Sequence, residues 1–141
     1  MSTELDLTNF DTRNVTNMYG MFDDMTDVTK IKFSDKFDTS NVVNMGRMFS
    51  RLRSIQQLDL SHFNTGNVTD MYNMFSESRV LRTIKASSDF VTNKVRYSFV
   101  FYKNDSLVGG NGTTYNDSNP KDKTYARIDI PGRPGYFTQG P

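Results

Sequence analysis

The sequence predicts an α/β repeat solenoid: a right-handed coil with short parallel strands on one side, short helices on the other side, and a small C-terminal β cap. Three observations predict it. The phrase Leu5-Asp6-Leu7-Thr8-Asn9-Phe10-Asp11-Thr12-Arg13-Asn14-Val15-Thr16-Asn17-Met18 returns in close variants from Ile31 and from Leu58, with a worn fourth copy from Ile84. The copies open 26, 27 and 26 residues apart, a period at which each unit buries its apolar face only against its neighbours. Within each of the first three copies, an alternating apolar pattern is followed by one of period three to four. Residues 1–108 therefore divide into four units (5–30, 31–57, 58–83 and 84–108), and residues 109–141 form a C-terminal capping segment.

Each unit opens on a short strand. Leu5/Leu7, Ile31/Phe33, Leu58/Leu60 and Ile84/Ala86 alternate with polar residues, which turns these side chains inward. A turn follows, written Phe-Asp-Thr-x-Asn-Val at 10–15 and 37–42 and Phe63-Asn64-Thr65-Gly66-Asn67-Val68 in the third copy. Asp, Asn and Thr side chains close turns and cap helices by bonding backbone N–H groups. Stacked in one register, they can also bond unit to unit. The last element is a short helix. Val15, Met18, Met21, Phe22 and Met25 share one helical face, as do Val42, Met45, Met48, Phe49 and Leu52, and then Val68, Met71, Met74 and Phe75. Most methionines fall on this face, and a buried stripe accounts for them better than a promiscuous binding groove, because Val, Phe and Leu occupy the same positions.

The fourth unit keeps Ile84, Phe90, Thr92 and Val95, then places Ser98, Phe101 and Tyr102 where Met71, Met74 and Phe75 stood. Residues 97–102 read as the fourth helix by register or as a strand by their β-rich alternation; register favours the helix. From Gly109 the composition shifts to Gly, Asn, Thr, Asp and Pro. Two short apolar–polar stretches, 125–130 and 136–138, flank Pro131-Gly132-Arg133-Pro134-Gly135 and suggest a two-strand cap that hides the last coil. At the other end the chain enters its first repeat with no polar cap, which reads as a terminus cut from a longer parent. Residues 1–4 lack the apolar region of a signal peptide, and no stretch approaches the roughly 18 apolar residues of a membrane span.

Composition narrows the partners. Seventeen Lys and Arg against 16 Asp and Glu give a formal charge of +1, with no long run of either sign, so nucleic acid and anionic membrane are not expected to bind. Mean hydropathy of −0.61 would be poor for a globule but suits the narrow core of a repeat array. With no cysteine, disulfides, thiolate zinc sites and cysteine nucleophiles are excluded.

Catalysis finds little footing. The single histidine, His62, sits at a turn position held by Asn9 and Lys36 in sister units, which reads as solvated rather than catalytic, and it has no second His or Cys to work with. Gly109-Gly110-Asn111-Gly112 is not followed by the Lys-Ser/Thr and helix of a phosphate loop. Asp105, Asn111, Asp117 and Asp122 offer oxygen ligands for calcium but lack EF-hand spacing, so neither a metal nor a cofactor is expected.

The outward strand positions say more. In register they are Asp6, Lys32, Asp59 and Lys85, then Thr8, Ser34, Ser61 and Ser87, which places each Asp beside a Lys on the next strand. These eight residues are the candidate ligand-binding face, a neutral hydroxyl-bearing strip suited to sugar or peptide hydrogen bonds; fixing strand register is their simpler role. Four strands of about five residues make a face of roughly 300 Å². A stable protein interface needs about 800 Å² per partner, so this strip alone suits a short glycan or peptide.

Leu58-Asp59-Leu60-Ser61, Phe37-Asp38-Thr39-Ser40-Asn41-Val42 and Met18-Tyr19-Gly20-Met21-Phe22 together resemble the repeat of BspA-like leucine-rich-repeat surface proteins of bacteria. The tail is similar to the segment that ends such arrays, at Leu107-Val108-Gly109-Gly110-Asn111-Gly112-Thr113-Thr114-Tyr115, Tyr125-Ala126-Arg127-Ile128-Asp129 and Pro134-Gly135-Tyr136-Phe137-Thr138. One departure stands out: where that family usually has Cys after Met-Phe, this chain has Met25, Leu52, Ser78 and Asp105. The resemblance implies a leucine-rich-repeat-like coil in a secreted or wall-attached protein. It also implies a module for adhesion that binds a host or neighbouring-cell surface protein or glycan; the missing catalytic groups make it non-enzymatic, the missing apolar stretch argues against membrane insertion of these residues, and a monomer is expected. The alternative is a structural spacer that displays other domains and binds nothing. Conservative Thr/Ser variation at turns favours the spacer; the exposed aromatics Tyr19 and Tyr72 favour binding.

Overall fold

A computed structural model describes residues 3–97 and 99–141. The chain is a β-solenoid. Its strands are β1 (Thr3–Leu7), β2 (Val28–Phe33), β3 (Gln57–Leu60), β4 (Thr83–Ala86) and β5 (Phe137–Gln139), all paired in parallel. The expected register holds: Leu5 pairs Ile31, Asp6 pairs Lys32, Leu58 pairs Ile84 and Asp59 pairs Lys85. The expected single ladder does not. It is split into a β1–β2 sheet and a β3–β4–β5 sheet. Phe33, the bulkiest residue at its register, stands at the parting, its ring 4.8 Å from Phe37, 5.1 Å from His62 and 5.5 Å from Phe63. Leu7, Leu60 and Ala86 hold the same place in the other coils.

The expected helices are absent, which corrects the α/β assignment. Among the described residues the only helical element is a single 3₁₀ turn, Lys123–Tyr125. Where helices were predicted, alternate backbone N–H groups donate to the next coil: Met18, Gly20, Phe22 and Asp24 to the carbonyls of Asn44, Gly46, Met48 and Ser50. Two N–H groups between them close three-residue turns, Met21 onto Met18 and Asp23 onto Gly20. The same pattern joins Met45, Arg47, Phe49 and Arg51 to the third coil. Left-handed residues recur at Gly20, Arg47 and Asn73, and again at Asp24, Arg51, Glu77 and Lys103, so no right-handed helix can propagate. A short helix bonds only to itself, whereas a stacked neighbour offers every coil a partner carbonyl. Apolar spacing of three to four is common to both geometries and does not distinguish them.

Stacking builds the core. Phe22, Phe49, Phe75 and Phe101 form a ladder with centroids 5.4, 5.8 and 5.7 Å apart and planes within 16°, an offset stack of favourable geometry. Met45, Met48, Met71, Met74, Val42 and Val68 are fully buried beside it. The turn threonines clamp coil to coil. The Thr12 hydroxyl donates to the Asp38 carbonyl and accepts from the Asp38 N–H, both at 2.8 Å. Thr39 does the same to Asn64, and Thr65 to Val91. In the last coil the Lys123 ammonium takes over, donating to the Thr92 and Val95 carbonyls.

The fourth coil needs a further correction. Phe75 and Glu77 donate to the carbonyls of Val100 and Tyr102, and Phe101 stacks on Phe75. Val100 and Phe101 therefore replace Met74 and Phe75, and Asn104, not Asp105, stands beside Ser78. One residue has been lost between Phe99 and Val100, which shifted the expected register. Residues 97 and 99–102 form neither helix nor regular strand, and Ser98, expected at a core position, lies outside the described residues. The two-strand cap is also replaced. Only Phe137–Gln139 is a strand, and it extends the ladder as a fifth rung, while the tail covers the last coil through irregular turns. Asp129 pins that tail: its carboxylate accepts from the N–H groups of Asn111, Thr113 and Gly135 and from the Thr113 hydroxyl.

Candidate functional site

Alternation along β1 to β4 turns Asp6, Lys32, Asp59 and Lys85 away from the core. The first three are exposed and Lys85 is half-buried. Each Asp lies across from its Lys in register, yet neither pair forms an ion pair among the described residues. The carboxylates turn to their own backbone. Asp6 accepts from the Thr8 N–H at 2.9 Å, and Asp59 from the Ser61 N–H and hydroxyl. The Thr8 N–H bond holds the Asp6 carboxyl below its ordinary pKa, with Lys32 a minor influence. For Asp59, partial burial pushes the pKa up, and the Ser61 bonds together with the Lys85 and His62 charges more than reverse it.

The hydroxyl row is less available than expected. Ser34 is buried, donating to the Phe10 carbonyl at 2.6 Å and accepting from the Lys36 N–H. Ser61 lies against Gly140, where an added Cβ would collide with its hydroxyl. Ser87 accepts from the Asp89 N–H, and Thr8 is exposed. Of the eight candidate residues, Asp6, Thr8, Lys32, Asp59 and Lys85 keep side chains that a ligand can reach.

Between the two sheets lies a cleft of about 450 Å³, floored by Ile31 and walled by Thr29, Lys30, Ser54, Gln56, Gln57 and Asp59. Four of its side chains are polar and uncharged, one is a cation and one a carboxylate, a lining suited to hydrogen bonding rather than to charge capture. Sequence reasoning missed this cleft.

His62 lies outside this cleft and lines another, with Arg13, Lys36 and Asp38. It is exposed, as expected, but its ring packs on Phe33 and Phe63, with centroids 5.1 and 5.2 Å away. The aromatic rings packed on one side of the imidazole partly desolvate it and lower its pKa, an effect partly offset by Asp59. The suggested calcium ligands do not converge: Asp105 pairs with Arg79, Asp122 caps the 3₁₀ turn through the Thr124 N–H, and the Asn111 backbone is held by Asp129. Among the described residues no three His, Cys, Asp or Glu side chains are grouped to hold a metal ion.

A family model described as "Mycoplasma protein of unknown function, DUF285" matches residues 1–111. The chain belongs to this family. The match spans all four repeats and the first residues of the tail. No curated protein and no solved structure matches the chain. Among the described residues no helix is long and apolar enough to cross a membrane.

Proposed function

We propose that this chain is a non-enzymatic interaction module of a bacterial surface protein of the BspA-like kind, displayed outside the cell and binding a protein or glycan of a host or neighbouring cell. The observation that carries the reading is the cleft between the two sheets. It is lined by Lys30, Gln56, Gln57 and Asp59, and Lys32 stands one residue beyond it on β2. These side chains rest on a rigid stack and contribute nothing to its core, so the surface can specialise while the fold is kept. The resemblance of the Leu-Asp-Leu-Ser and Phe-Asp-Thr-Ser-Asn-Val motifs to surface repeats supports it. The small face suits weak single contacts that gain strength when many copies act together.

A spacer is the second reading, favoured by Ser34, Ser61 and Ser87, whose hydroxyls are engaged within the protein. Probing arrays of glycans and matrix proteins with the multimerised chain separates the two. The module reading expects a specific signal that the double variant Lys32→Gln/Gln57→Ala reduces severalfold without lowering the melting temperature. Silence across the arrays, while cells displaying the protein still adhere, would move the assignment to the spacer.

A further inference from the structure

The turn segments carry a second surface that shares no residue with the strand-face cleft. Tyr19, Gly46, Tyr72 and Phe99 occupy one register position in successive coils, as the bonds from Gly20 to Gly46, Arg47 to Tyr72 and Asn73 to Phe99 establish. Tyr19 leans over the second coil, where Gly46 leaves it room; a Cβ there would come within 2.8 Å of the Tyr19 ring. Tyr72, Phe99 and Tyr102 continue the row, with centroids 6.5 and 6.0 Å apart, and are 44%, 41% and 39% exposed. They border a cleft of about 320 Å³ that also includes Arg47, Arg51 and Asn73. The phenylalanine ladder already fills the interior, so these rings are surplus to the core. A contiguous exposed aromatic row in a soluble array marks a binding surface.

Cations bracket the row. The Arg47 guanidinium lies 5.8 Å from the Tyr72 ring centre, and the Lys103 ammonium 5.1 Å from that of Tyr102. Neither has a carboxylate within ion-pairing distance among the described residues, whereas Arg51 is held by Asp23 at 2.8 Å. Glu77 is the one carboxylate lining the cleft. Arg47 also stands in left-handed backbone (φ 53°), at the position where the first coil uses Gly20. Glycine is the unstrained choice there, so a long cationic side chain is retained against a local conformational penalty.

We infer that this turn-face cleft binds an acidic oligosaccharide, a chain of pyranose rings bearing carboxylates. The flat C–H face of a sugar stacks on an electron-rich aromatic ring. Successive rings 6.0–6.5 Å apart fit a chain whose flat units follow one another at short regular steps. Asn73 and the guanidinium groups donate to hydroxyls, and Arg47 and Lys103 meet carboxylates at the two ends. A neutral ligand would leave both cations unused, and an acidic peptide has no flat apolar face to set on the rings.

Titration calorimetry with hyaluronan and alginate octasaccharides, their carboxyl-reduced neutral counterparts and octaglutamate tests this. The acidic sugars should bind in preference to the other two, with affinity falling as salt rises. Tyr72→Ala and Phe99→Ala should each weaken binding roughly three- to tenfold, the loss of one aromatic contact. The double variant Arg47→Gln/Lys103→Gln should erase the preference over the reduced sugars. Should Phe99→Ala fail to fold, Tyr102→Ser carries the same test. Absence of binding to both acidic sugars, equal binding of reduced sugars or octaglutamate, or affinities indifferent to these variants would each overturn the assignment. Any of these results leaves the strand-face cleft to be judged by its own variants.

Discussion

Coils one and two are nearly the same sentence in residues and very different in packing. Val42, Met48 and Leu52 of the second coil are fully buried, while Val15, Met21 and Met25 at the matching places in the first are only partly so. Phe37 is 2% exposed and its counterpart Phe10 is 48% exposed. The residues scarcely differ; what differs is whether a coil lies on both sides. At the far end Tyr136 and Phe137 of the tail close over Phe101, which is fully buried. In this array burial belongs to the stack, not to the unit, as nearest-neighbour stability requires.

Core truncation should widen the contrast most. Phe49→Ala removes a fully buried ring stacked on both sides and should cost about 3–5 kcal/mol. Met21→Ala, in the open first coil, should cost well under the roughly 2 kcal/mol that marks the lower end for a fully buried methionine, and Met48→Ala should exceed it. Urea denaturation of the three variants gives the ranking; equal costs for Met21 and Met48 would break the argument.

The clamps come next. Thr39→Val orphans the Asn64 carbonyl and N–H and should lose roughly 1–3 kcal/mol, while Thr39→Ser keeps the hydroxyl and should recover most of it. The check is again the urea midpoint.

Acid should then open the capped end. Burial pushes the Asp129 carboxyl up, but its hydrogen bonds from Thr113, Asn111 and Gly135 more than compensate, so its pKa lies below the ordinary value. A depressed folded pKa contributes stability above the unfolded value of about 3.9 and loses it as pH falls through the folded one. Asp129→Asn should therefore lower stability at pH 7 and flatten the acid limb below about pH 4 in thermal melts.

The smallest effect belongs to His62. With its pKa lowered by partial desolvation, the unfolded chain binds the proton more readily, so stability should drop slightly as pH falls from about 7.5 through the ordinary histidine value near 6.5. His62→Asn, the residue the first coil carries there, should remove that slope. A slope unchanged in the variant would assign it elsewhere.

The repeat alone made much of this fold legible. Leu-x-Leu alternation set the strand register, and the Phe-Asp-Thr turn signalled coil-to-coil bonding, because a threonine at one depth in each coil has a neighbour's backbone within reach. The helices were misread because Met-x-x-Met-Phe satisfies two backbones equally; Gly20, Gly46 and Asn73 within the stretch were the cue against a helix. Val100 and Phe101 were misplaced because a single-residue deletion leaves no mark in a degenerate repeat. The strand-face candidates were located by register, yet Ser34 is buried with its hydroxyl on the Phe10 carbonyl, a contact with the neighbouring coil that the spacing within one repeat does not reveal. The split between the sheets is a relation between neighbouring coils, which no pattern within one repeat encodes.

The threonine clamps have a mechanical consequence. They and the backbone bonds around them run along the stack axis, so tension between its ends loads them a coil at a time rather than all in parallel. The array should yield by peeling, each released coil of about 26 residues paying out roughly 90 Å of chain. A stack built this way should lengthen in steps under a pull and wind back when the pull relaxes.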